Sequence, residues 1–260
     1  MKREESYGCE PIKGLLLIAM LVSSVAEGQQ SPPIHKWILP SSARIQGIGG
    51  TFFTTNLTVS TTEDAGLSFK FLGNGIDGRQ GPVVLDFLAG GRSKTYVDVL
   101  SLVFQLPSGF GAIQIASNSS SLNIVGQTST PASGGGTYGQ SVPACGSADE
   151  ITSGTVRTIT AIAETDSFRT NLILANATES ESVVDVSLLS DAGTILGSKS
   201  YSLPALGMIQ ITRIVRDLGV TSSISPATLR LSTATSNGAF CAYAVVIDNV
   251  TGDPRTLLPR

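Results

Sequence analysis

Histidine, the commonest general acid and base, occurs once in this sequence, as His35 in Ser31-Pro-Pro-Ile-His-Lys36. A lone imidazole in a proline-flanked segment near the chain start points to a mobile terminus, and a Ser-His-Asp arrangement would need that ring held by a core. Carboxylates are more numerous. If two of Asp86, Asp98, Glu164, Asp166 and Asp185 met across a cleft they could do the paired acid and base work of a glycosidase, yet the chain holds a single tryptophan toward an aromatic sugar platform. They are read as strand ends and solvated faces. Zinc would want several His or Cys ligands at short spacing, which the sequence lacks. In Asp248-Asn249-Val-Thr251-Gly-Asp253-Pro254, the oxygens of Asp248, Asn249 and Asp253 form a candidate calcium set. The stretch lacks the length, spacing and terminal Glu of an EF-hand loop, and the same residue types make an ordinary turn after a strand, which is the reading taken. No catalytic residue, metal or cofactor is therefore assigned.

The cysteines carry a different chemistry. Cys9 precedes the apolar run Gly14 to Val22, which follows a basic opening (Lys2, Arg3, Lys13) and leads to Ser24-Val25-Ala26, small residues of the kind a signal peptidase reads. The run is well under the ~20 apolar residues that span a bilayer. Residues 1–26 are thus expected to be a cleavable export signal, Cys9 to be lost with it, and the mature chain to be secreted or periplasmic, with no membrane insertion. Cys145 and Cys241 remain, an even count in an oxidising compartment, and are expected to pair. The alternative is a small buried strand residue at Cys241 and an exposed thiol in a turn at Cys145.

A charged fraction of 14% beside a hydrophobic fraction of 41% describes a folded chain, and a net charge of −3 with scattered Lys and Arg excludes steering toward nucleic acid or an anionic membrane.

The elements that must position these residues read as strands almost throughout. Short runs rich in Val, Ile, Leu, Thr and Phe alternate with Gly, Ser, Asn and Asp clusters, and Val183-Val-Asp-Val-Ser-Leu188 shows the period of two expected of a half-buried antiparallel strand. The series is also duplicated. Thr54-Thr55-Asn56-Leu57 recurs as Arg169-Thr170-Asn171-Leu172, and Tyr96 to Phe104 corresponds to Gln210 to Leu218. In the second pair, Val97, Leu100 and Phe104, and again Ile211, Ile214 and Leu218, have helical spacing and predict a short helical segment with Asn56 and Asn171 at strand starts. The offset stays near ~115 residues, the size of one sandwich of about seven strands. The expected fold is all-β, two related antiparallel β-sandwich, immunoglobulin-like halves: a segment 27–48, a first half 49–130, a crossover 131–150 and a second half 151–260. The Gly-rich stretch from Pro131 to Gln140 is either a backbone-lined binding loop or a crossover whose glycines supply positive φ. The crossover is expected, since no strand–turn–helix unit surrounds it to make a dinucleotide site.

Trp37-Ile-Leu-Pro-Ser-Ser-Ala-Arg44, Gly49-Gly-Thr-Phe-Phe-Thr-Thr-Asn-Leu57, Gly136-Thr-Tyr-Gly-Gln140, Phe168-Arg-Thr-Asn-Leu172 and Tyr243 with Asp248-Asn-x-Thr-Gly-Asp-Pro254 together resemble a family of uncharacterised paired-sandwich modules found in exported bacterial proteins. The resemblance spans about Lys36 to Arg260, implies an extracellular module without recognised enzymatic activity, and transfers no site residue. Asn56, Asn118, Asn176 and Asn249 sit in Asn-x-Ser/Thr sequons, which a bacterial source would leave bare.

The expected function is a non-catalytic structural or adhesive binding module for an extracellular protein or polysaccharide. The alternatives are a carbohydrate-binding module, using Trp37 with Tyr96, Tyr138, Tyr201 and Tyr243 as a platform, and a hydrolase with a hidden carboxylate pair. Fold alone does not choose among them.

Overall fold

The structure, a computed structural model, describes residues 34–47, 50–132 and 134–260. The expected signal, residues 1–26, lies outside them. Antiparallel strands dominate. A first set runs β1 (His35–Gln46), β2 (Phe52–Ser60), β3 (Ala65–Gly73), β4 (Val83–Leu88), β5 (Ser93–Tyr96), α1 (Val99–Leu102), β6 (Gly109–Ser117), β7 (Asn123–Pro131) and β8 (Thr137–Pro143). Two short strands follow, β9 (Cys145–Gly146) and β10 (Ile151–Thr152). The second set is β11 (Val156–Glu164), β12 (Phe168–Asn176), β13 (Ser182–Leu189), β14 (Ile195–Leu203), β15 (Met208–Ile211), α2 (Ile214–Asp217), β16 (Ile224–Thr233), β17 (Ala239–Asp248) and β18 (Pro254–Leu257).

In the first set one nine-stranded sheet runs β4-β3-β6-β1-β2-β7-β8, with β5 on β2 and β9 on β1. The second set divides into a four-stranded sheet, β14-β13-β16-β11, and a five-stranded one, β10-β17-β12-β15, with β18 on β17. The order of pairing recurs: β4-β3-β6-β1 is followed in β14-β13-β16-β11, and β5-β2-β7-β8 in β15-β12-β17-β18. Alternation explains the layers, since β13 buries Val184, Val186 and Leu188 while Val183 and Asp185 face outward.

Three cores result, giving a sandwich-like body. Leu57, Phe69 and Ile113 with Val99 and Leu100 of α1 build one; Leu172, Val186 and Leu229 with Ile214 and Val215 of α2 build another. The third draws on both sets, packing Ile38, Leu72, Ala112 and Val142 with Ile173, Met208, Cys241, Tyr243 and Val245. Side chains of this kind contribute ~1.5–3 kcal/mol each on burial, and with this shared core the described residues form one compact unit. Tyr243 is buried there with Ser41 as hydrogen-bond partner, and desolvation pushes its phenol up to about 12.

Several expectations need correction. His35 does not lie in a mobile terminus: it opens β1 opposite Ser117, because the segment expected at 27–48 supplies a central strand. The Gly-rich stretch is no crossover but the tip of the β7–β8 hairpin, where Pro131 faces Thr137 and Gly135 and Gly136 take φ of 88° and 81°. Asn56 and Asn171 lie within β2 and β12, not at strand starts. Val97 is 63% exposed. Its helical spacing fails because Asp98, at φ 48°, turns the chain left-handed and resets the phase before α1; Arg213 does the same before α2 at φ 52°. The two asparagines hold these turns. Asn56 Oδ1 accepts from the Asp98 N–H at 2.9 Å, and Asn171 Oδ1 from the Arg213 N–H at 3.0 Å. A left-handed conformation costs roughly 1–2 kcal/mol for a residue with a Cβ, which such a bond offsets.

At the same two turns the charges are inverted. Arg44 pairs with Asp98 in the first set, and Glu164 with Arg213 in the second.

Candidate binding cleft

At one end of β1 a cleft of about 680 Å³ opens, lined by Ile34 to Trp37, by Ser120 and Leu122 to Ile124, by Pro143 and Ala144, by Gly146 to Glu150, and by Ala177, Thr178 and Ala239. Both strand sets contribute. Its position follows from pairing: β9 lies on β1 with Gly146 opposite Trp37 and Cys145 opposite Ile38, and the chain then turns through Ser147–Glu150 into β10. That turn closes on itself, the Asp149 N–H donating to the Gly146 carbonyl at 2.9 Å. Trp37 packs part of its indole on the first core and leaves the rest to the cleft, with the His35 ring 6.2 Å away and tilted by 44°.

Glu150 is half-buried, and desolvation raises its carboxyl above the ordinary range, with the Lys36 ammonium opposing that rise. A raised carboxylate pKa means that ionisation disfavours the folded state: the penalty is absent below the unfolded pKa and grows as pH rises through the folded one. Glu150→Gln should therefore raise the melting temperature at pH 7, and the gain should vanish as the pH is lowered to about 4. Paired calorimetric scans check this; an equal gain at both pH values would sink it.

The cysteines lie beside this cleft. Their sulfurs are at bonding distance, 2.07 Å, with Cα atoms 6.1 Å apart, inside the ~7 Å a disulfide requires. Cys241 is fully buried in the shared core and Cys145 packs against it.

The remaining candidates are scattered. Asp86 accepts from Lys94 Nζ at 2.5 Å and from the Tyr96 hydroxyl at 2.7 Å. Burial raises its carboxyl, but these bonds outweigh burial and hold it low. Asp217 makes the matching clasp with Lys199 and Tyr201. Asp98 faces Arg44, Asp185 accepts from Ser200, and Glu164 is enclosed with Arg213 and Arg216. Asp166 lends its carbonyl to Asn249. Asp86, Asp98, Glu164 and Asp185 therefore each have a separate side-chain partner, and among the described residues none of the five carboxylates is hydrogen-bonded to another. Among the described residues no group of three His, Cys, Asp or Glu side chains gathers to hold a metal. At the calcium candidate, Asp248 Oδ1 accepts from Val250 and Thr251 N–H groups, Asn249 Oδ1 from Arg169, and the Asp253 carbonyl from the Asp248 N–H. These are the bonds of a turn between β17 and β18.

The aromatic platform is likewise dispersed: Tyr96, Tyr201 and Tyr243 are buried, Tyr138 is exposed on β8, and Trp37 alone reaches the cleft. Sequon asparagines serve the fold. Asn176 is fully buried, donates to the carbonyls of Ser180 at 2.8 Å, Pro204 at 3.0 Å and Leu203 at 3.3 Å, and accepts from Thr178. Asn176→Ala should cost about 2–3 kcal/mol, as several buried groups lose their partner at once. Urea titration measures it, and a loss under about 0.5 kcal/mol would contradict this account.

Reading the sequence missed Asn123, Ser147, Asp149 and Glu150. The available signal was the polar run Gly146-Ser-Ala-Asp-Glu150 beside a cysteine.

No family model matches this sequence, and no curated protein is significantly similar to it. Among solved structures, chains of infectious bursal disease virus strains Gt and Gx align over 88% of this chain and 72% of theirs, at 11% and 10% identity, with TM-scores of 0.18 and 0.20. Similarity at that level carries no argument about fold or function. No helix among the described residues is long and apolar enough to cross a membrane.

Proposed function

We propose that this chain is a non-catalytic module of exported proteins, related to the paired-sandwich modules it resembles, which presents strand edges and loops to an extracellular protein or polysaccharide. The observation that carries this reading is the edge of the nine-stranded sheet. Among the described residues β4 pairs only with β3, and its alternate residues Val83, Leu85 and Phe87 are 55%, 76% and 57% exposed. A free edge with an apolar face is a template for an added strand, and proteins usually guard such edges with charge or cover them. The cysteine pair supports an oxidising compartment. A second reading, carbohydrate binding, is favoured by the cleft beside Trp37.

Selection of extended peptides on the purified chain tests the leading reading. Selected binders should protect β4 amides from hydrogen exchange, and Leu85→Lys should abolish capture with an unchanged melting temperature. Capture that survives Leu85→Lys, with protection elsewhere, would remove the edge from the account.

A further inference from the structure

We propose that the cleft beside Trp37 is a saccharide site, in which a pyranose ring lies on the exposed part of the indole while Asn123, Ser147, Asp149 and Glu150 hold its hydroxyls. This deepens the non-catalytic binding reading above and rests on it.

The volume comes first. About 680 Å³ lies within the ~300–1,000 Å³ typical of small-ligand sites. One wall is aromatic. Trp37 is anchored on the first core, and a Cβ at Gly146 would stand 3.3 Å from both Cδ1 and Nε1 of the indole, so the glycine lets the strand pass close without displacing the ring. An indole fixed in this way offers a plane to the apolar C–H face of a sugar at little entropic cost.

The opposite requirement, hydrogen-bonding groups with capacity to spare, is met around it. Among the described residues the side chains of Ser120, Asn123, Ser147 and Glu150 have no hydrogen-bond or ion-pair partner, and Asp149 uses one carboxylate oxygen for a long 3.4 Å contact with the Gly146 N–H. A half-buried carboxylate without a donor is unfavourable, and a ligand hydroxyl or ammonium supplies one. Amide, hydroxyl and carboxylate groups beside an indole suit a ligand that is polar at its rim and apolar on its face. The charges narrow the class: Asp149 and Glu150 outnumber Lys36, so neutral and amine-bearing sugars are favoured over uronates.

Trp37 is the only tryptophan in the chain, so its fluorescence reports on this cleft without labelling. Cellotriose, the trimers of N-acetylglucosamine and glucosamine, and trigalacturonate are the probes. At least one neutral or amine-bearing trimer should shift the emission saturably with half-saturation below about 1 mM. Asn123→Ala and Glu150→Gln should each weaken it at least tenfold, and Glu179→Gln, in a separate hollow with Asp77 and Arg79, should leave it unchanged. Absence of a saturable change with all four, a response indifferent to both cleft substitutions, or strongest binding of trigalacturonate would overturn the site. Silence here with peptide capture at β4 intact would remove the saccharide site and leave the module reading standing. Saturable binding accompanied by trimer hydrolysis, followed by chromatography, would keep the site and overturn the non-catalytic reading.

Discussion

Replacing Cys145 and Cys241 together by alanine should destabilise the chain by about 4–5 kcal/mol, the entropic value for a crosslink closing a loop of this length, and lower its melting temperature by roughly 10–15 °C. The two residues are 96 apart in sequence, so the unfolded chain regains a large freedom when the link is absent. Alanine at 241 also removes a sulfur from the fully buried shared core, whereas Cys145, at the margin of that core, adds little. The link runs from β9, which is held on β1, to β17 of the second set. Its loss should therefore loosen the shared core before either of the others, and hydrogen exchange should rise first at Ile38 and Val142. Calorimetry of the double variant is the deciding measurement. A change below about 1 kcal/mol, or quantitative labelling of both thiols in native protein from an oxidising compartment, would exclude a functioning crosslink.

Arg213→Met should cost about 3 kcal/mol, while Asp98→Asn at the corresponding turn should cost under about 1 kcal/mol. Both substitutions break an ion pair made by a residue that is itself left-handed, and asparagine, which tolerates that conformation, adds no strain at position 98. The difference lies in burial. Glu164 is 0% exposed and would be left with Arg216 alone, 3.5 Å away, whereas the side chains of Arg44 and Asp98 keep 25% and 22% of their surface and water can take over. A buried carboxylate deprived of its nearest cation is among the costlier defects a single substitution creates, and the remaining Arg216 sets the value at the lower end of the ~3–5 kcal/mol range. Chemical denaturation of both variants at one pH gives the comparison; equal losses would show that burial of Glu164 does not govern the pair.

The same turns show what was legible in advance. Recurrence of Asn-Leu near ~115 residues, the span of a sandwich, singled out Asn56 and Asn171, and the leucine that follows each, Leu57 and Leu172, is fully buried. The all-β antiparallel character was equally legible, because a period of two is written into neighbouring residues and depends on nothing distant. Compartment chemistry also pointed to Cys145 and Cys241, whose approach to bonding distance needed no knowledge of their faces.

Tertiary structure decided the rest. That Asn56 and Asn171 act by holding a left-handed turn forty-two residues away is invisible locally, since the acceptor and the N–H meet only once β2 and β5, and β12 and β15, are paired. Helical spacing counted from Val97 misled for the same reason: a single positive φ at Asp98 interrupts the phase that periodicity assumes. The shared core has members from both strand sets, and the hairpin role of Gly135 and Gly136 depends on β8 returning along β7. The cleft is the extreme case. Its residues come from five separate stretches of chain, none with a motif of its own, and their proximity is a product of strand register. Composition and periodicity report what a segment buries; which polar side chains are left facing one another is set only when the sheets close.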